Sequence, residues 1–125
     1  EAYEKVINAY EPLADKSNNS PEFFHELGKA YLEKENAEKA VEYNQKCLEK
    51  GGDKAMMHFS LAQAYLLAVH QTGYLSIALE AIEPFQKYLD KGGTTRERDV
   101  YVRDKLEAIK KYENSKLREY QKKGN

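Results

Sequence analysis

The chain has 125 residues, a net charge of -1, 41% hydrophobic and 33% charged residues, one cysteine, 10 tyrosines and 4 phenylalanines. That is room for one domain or a short array of small units, too aromatic for a solvated tail and without the cysteines for a disulfide framework or a multi-cysteine metal site. The charge balance gives no global attraction to nucleic acid or to an anionic membrane, and no apolar run approaches the ~18–20 residues of a membrane span.

Six helices are predicted in chain order, near 2–15, 21–34, 37–50, 54–71, 75–90 and 95–122. Between them lie the breaks at Ser17–Pro21, Gly51-Gly52-Asp53, Thr72-Gly73 and Gly92-Gly93-Thr94. The intervening segments are rich in Ala, Leu, Glu and Lys. Their apolar residues recur at steps of three and four, as in Phe24, Leu27, Tyr31 and in Ala40, Tyr43, Cys47. The first helix carries an apolar face of Tyr3, Val6, Ile7, Tyr10 and Leu13. Pro12 falls inside it and Pro84 inside the fifth, so a kink is expected in each. Ser20-Pro21 supplies an N-cap and a first-turn proline for the second helix. Asp53 is the expected cap of the fourth, and Thr94 with Glu97 the expected capping box of the sixth. The paired glycines suit left-handed C-caps. The last segment has no turn residue in its middle, while Val102, Leu106, Ile109, Tyr112, Leu117 and Tyr120 keep a helical spacing, so one long helix closes the chain.

The sequence also repeats itself. A shift of 34 lays Leu27-Gly28 and Ala30-Tyr31-Leu32 on Leu61-Ala62 and Ala64-Tyr65-Leu66. A shift of 41 lays Ala40-Val41-Glu42, Gln45-Lys46, Leu48 and Lys50-Gly51-Gly52 on Ala81-Ile82-Glu83, Gln86-Lys87, Leu89 and Lys91-Gly92-Gly93. Both offsets follow from a 34-residue unit whose second copy carries seven extra residues between Tyr65 and Ala81.

These residues resemble the tetratricopeptide repeat family over positions 1 to about 93. On the first helix of a pair (helix A) the match is Phe24, Leu27, Gly28 and Tyr31, and in the second copy His58, Leu61, Ala62 and Tyr65. On the second helix (helix B) it is Ala40 and Ala81, with Cys47 at the second small position. Asn44 stands where the family has an aromatic residue and Gly52 where it has proline. The resemblance implies an all-α helix-turn-helix repeat solenoid, a right-handed superhelix. Its parts are a trailing B helix at 1–16, one repeat at 21–52, a second repeat with its seven-residue insertion at 54–93, and a capping helix at 95–122. A chain that starts on Glu1 and on a B-type helix reads as a piece of a longer one, its first face either a cut or a contact surface.

No catalytic constellation is expected. The glycines end helices rather than form a phosphate loop, and His25-Glu26 lacks the second histidine of a metalloprotease. Cys47 sits where the repeat wants a small buried residue. His25, His58 and His70 are not spaced for one metal, so neither metal nor cofactor is expected. Glu33, Glu35, Glu38, Glu42 and Glu49 read as solvated faces. Residues 1–95 hold 10 basic and 15 acidic residues, and residues 96–125 hold 10 basic and 6 acidic. The basic end carries no aromatic–basic nucleic-acid motif, so a nucleic-acid partner is not expected.

In the family, helix A residues one turn apart line a concave groove. The resemblance puts Glu22, His25, Glu26, Lys29 and Glu33 on its first wall. Met56, Phe59, Ser60, Gln63, Leu66 and Leu67 fall on the second. It implies a non-catalytic module that holds a partner peptide or helix. Lys29 and Gln63 occupy the asparagine positions of the subtype that clamps a chaperone's terminal carboxylate, and the acidic first wall repels such a group, so no clamp is expected. The alternatives are self-assembly through the end helices, giving a homo-oligomer, and an accessory region of a larger protein. The expected compartment is the cytoplasm rather than the periplasm or an anchored exterior.

Overall fold

The computed structural model describes residues 2–16 and 18–123. Glu1, Ser17, Gly124 and Asn125 lie outside the described residues, and with them the first residue of the trailing helix expected at 1–16 and of the break at Ser17–Pro21. The described residues form six α-helices and no strand: α1 (Ala2–Tyr10), α2 (Pro21–Glu33), α3 (Ala37–Glu49), α4 (Ala55–Thr72), α5 (Ile82–Asp90) and α6 (Arg96–Lys123). Each helix packs on the next along the chain, and α2 also touches α4. No helix is long and apolar enough to cross a membrane.

The helix ends follow local chemistry. Ser20 Oγ accepts from the Phe23 amide at 3.2 Å, and Asn36 Oδ1 accepts from the Lys39 amide at 3.1 Å. Both satisfy first-turn donors that a helix leaves without partners. Three helices end alike. The amides of Asn36, Gly52 and Gly93 return to the carbonyls of Tyr31, Cys47 and Tyr88, each at 3.0 Å. The residue before each, Glu35, Gly51 or Gly92, takes a positive φ.

Three expectations change. Neither proline sits inside a continuous helix. Pro12 lies in a 3-10 turn (Glu11–Leu13) that follows α1, and Pro84 lies in the first turn of α5, which a 3-10 stretch (Leu75–Ala81) precedes. The missing donor therefore falls where helical hydrogen bonds are already interrupted, and two segments expected as single kinked helices are each divided. Asp53 does not cap α4, because its carboxylate is drawn away to His58 and Lys91; Lys54 occupies the cap position without a side-chain bond. The cap of α6 is Thr95, whose Oγ1 accepts from the Arg98 amide at 3.2 Å. The carboxylate reaching back is Asp99, not Glu97, and it accepts from the Thr94 amide at 3.1 Å.

The seven extra residues are taken up by lengthening. α2 has 13 residues and α4 has 18, and the 3-10 stretch of 7 residues extends the partner of α4 upstream of α5. Two hydrophobic cores result. The first joins Phe24, Leu27, Tyr31, Ala40, Tyr43 and Cys47 to Met57 and Ala64. The second joins Ala62 to Ala81, Phe85, Tyr88, Val102, Leu106 and Ile109. α4 contributes to both. On α1, Ile7 and Tyr10 pack against the first core and Tyr10 stacks on Phe23 with ring centres 5.0 Å apart, so part of the apolar face read as open is spent on α2; Leu13 stays exposed.

Candidate functional site

The residues that define the repeat are structural. Phe24, Leu27, Gly28, Tyr31, Ala40, Leu61, Ala62 and Ala81 are buried, and Tyr65 is half-buried with its hydroxyl accepting from Gln45 at 2.7 Å. Cys47 is fully buried, and burial pushes its thiol up to about 11, so it is neither an exposed nor an activated nucleophile.

On α2 the candidate surface is a row of charged residues. Glu22 and Glu33 are exposed, and Glu26 meets Lys29 at 3.5 Å with both side chains nearly half exposed. His25 is half-buried and its Nδ1 has no partner. Burial, reinforced by Lys29, lowers its pKa and keeps the ring neutral. The row turns one way because Phe24, Leu27 and Tyr31 point into the first core and fix the roll of the helix.

On α4 the candidates divide. Ser60 is buried and has no access to a partner. Met56, Phe59 and Leu66 are half-buried and pack on the second core. Gln63 and Leu67 are half-exposed. Phe59 lies at the centre, its ring 5.5–6.2 Å from those of Phe85, Tyr88 and Tyr101.

α6 packs over this part of α4. The Tyr101 hydroxyl donates to Gln63 Oε1 at 2.9 Å, the Arg98 guanidinium stands 5.3 Å over the Phe59 ring, and Lys105 Nζ is 5.5 Å from the centre of the Tyr101 ring. Tyr101 and Lys105 stand one position before the buried Val102 and Leu106, and Arg98 one turn before Tyr101. That spacing was the signal available. α2 thus carries an exposed acidic row, while the half-buried candidates of α4 are covered by basic and aromatic side chains of α6.

A concavity of about 530 Å3 lies where the α3–α4 turn meets α4 and α5. Asp53 is its polar centre, accepting from His58 Nε2 at 2.8 Å and from Lys91 Nζ. The bonds from Lys91 and His58 hold the Asp53 carboxyl down at about 2. No serine, threonine or cysteine lines this pocket, so the His58–Asp53 pair has no such nucleophile to activate. Among the described residues no group of three His, Cys, Asp or Glu is placed to hold a metal ion.

Compared with protein-family models, with curated proteins and with solved structures, the chain finds no match in any of the three.

Proposed function

We propose that the chain is a tetratricopeptide-type repeat module, acting without catalysis, that holds a helix or extended peptide of a partner protein. The surface formed by α2, α4 and the first half of α6 is the groove. The observation that supports the reading is an exposed acidic row on α2 beside a helix, α4, whose Phe59 and Gln63 meet Arg98 and Tyr101 of α6. In this reading Glu22 and Glu33 form one wall, Phe59 and Gln63 the floor, and Arg98 and Lys105 the other wall. The 34- and 41-residue self-similarities support it independently, because they pair α2 with α4 and α3 with α5 as copies of one unit.

Walls of opposite sign select for orientation as well as for charge. The best occupant is a segment with a basic edge toward α2, an apolar ridge over α4 and no basic residue facing α6. An acidic tail is repelled at Glu22 and Glu33. The test is a titration of the 15N-labelled chain with amphipathic helical peptides that differ only in the sign of their polar edge. Basic-edged peptides should shift the amides of α2 and α4, and Glu22→Gln with Glu33→Gln should weaken them several-fold at unchanged helicity. Equal binding of acidic- and basic-edged peptides, or indifference to both substitutions, would remove the reading.

A further inference from the structure

The second half of α6 has no cover. Its stripe is buried in the body at Val102, Leu106 and Ile109 and then runs on through Tyr112, Leu117 and Tyr120, of which Leu117 is 53% and Tyr120 77% exposed. An unpacked helix of 14 residues is marginal on its own in water, and this stretch presents apolar residues along its length. Residues 110–123 carry six Lys and Arg against Glu113 and Glu119. Lys116 pairs with Glu119 and Lys111 with Glu107, whereas Lys110, Arg118, Lys122 and Lys123 have no acidic partner among the described residues.

We infer that this segment, residues 110–123 of α6, is the ligand of the groove of a second copy of the same chain, its unpaired basic side chains meeting Glu22 and Glu33 of α2 and its Tyr112–Leu117–Tyr120 ridge lying over α4. The inference rests on the groove reading and names its occupant. Three observations point to it. The charges are complementary: among the described residues Glu22 and Glu33 are exposed and in no ion pair, like the four bases of the tail. The lengths agree, since 13 residues of α2 and 14 of the α6 tail are each about 20 Å of helix. The tail has no route to its own groove, because α6 is one unbroken helix from Arg96 to Lys123 and its first half already forms the groove's basic wall.

Tail and groove are different surfaces, so the contact is head-to-tail and leaves one free groove and one free tail at the ends of every open assembly. That asymmetry gives a decisive test. Molar mass is measured by light scattering behind size exclusion, over a wide concentration range, for the wild type and two variants, with circular dichroism on each. One variant carries Leu117→Ser and Tyr120→Ser; the other carries Glu22→Lys and Glu33→Lys. All four positions are exposed, so both variants should keep the packed body of the fold and lose helicity, if at all, only in the tail. The wild type should grow in mass with concentration, and less so at high salt. Each variant alone should stay monomeric. The two mixed should form a dimer of one copy of each, because the intact groove of the first takes the intact tail of the second. A wild type that is monomeric throughout overturns the inference and leaves the groove reading to its own peptide titration. Association lost in the tail variant but untouched in the Glu22/Glu33 variant overturns the inference, and with it the groove as the site for this occupant. A mixture that stays monomeric overturns the head-to-tail contact.

Discussion

At Gly28 the helices α2 and α3 approach so closely that a β-carbon would lie 2.7–2.9 Å from three atoms of the Asn44 side chain. Asn44 is fully buried and has little freedom to retreat. Its amide donates to the Ala40 carbonyl at 2.7 Å, while its Oδ1 has no partner. Replacing glycine by alanine inside an ordinary helix stabilises by roughly 0.5–1 kcal/mol. Here overpacking opposes that gain at about 1–3 kcal/mol, so Gly28→Ala should be destabilising by denaturant titration. The same change in an Asn44→Ala background should recover most of the loss, because the clashing atoms and the orphaned oxygen leave together. A stabilising Gly28→Ala would show that the two helices are not in this contact. Gly28 was legible in the sequence through the Leu-Gly–Tyr spacing. Its partner was not, since Asn44 departs from the aromatic residue that the repeat pattern leads one to expect.

Among the elements, the turns are tied to each other as well as capped. Asp53, in the turn between α3 and α4, bonds Lys91 after α5, a link across 38 residues, and also His58 in the first turn of α4. Its carboxyl is lowered from 3.8 to about 2, with the Lys91 bond the largest cause and the His58 bond next. A carboxyl depressed in the folded state adds stability that is fully present above its unfolded value and is lost as the pH falls. The contribution of Asp53 should therefore be complete above about pH 5 and vanish as the pH drops from 3.8 through 2. Asp53→Asn should lower the melting temperature at pH 6 and make little difference at pH 2; an equal deficit at both pH values would mean that the carboxylate charge is not what matters. Reading the sequence assigned Asp53 to capping because caps are local and Lys91 is distant. The ends at Ser20, Gly51 and Gly92 were legible for the same reason, since each depends on residues within one turn. The two 3-10 segments were not, because helical spacing of apolar residues does not report which carbonyls lose their donors near a proline.

Across the whole molecule, packing runs down steadily toward the end of α6. Val102 is fully buried and Leu106 and Ile109 nearly so, Tyr112 is half-buried, and every described residue after it is exposed. Amides exchange according to the free energy of the opening that frees them. In the isolated monomer those of α2, α3 and α4 should exchange slowest, and those beyond Tyr112 fastest despite their helical geometry. Uniform protection along α6 in dilute solution would contradict the graded packing. The all-helical composition and the long final helix could be read from the residues alone. That the final helix could fold back over Phe59 and Gln63 was open from the sequence; that Arg98 and Tyr101 make the contact was not legible, because they belong to a helix whose roll only the fold decides.

α4 stands between the two cores, with Met57 and Ala64 turned to one and Ala62 to the other. Under a pulling force applied at the two chain ends, α1 and α6 are held by one neighbouring layer each and α4 by layers on both sides. The chain would shed its outer helices first and let go of α4 last. The last part of the fold to give way is then its middle helix.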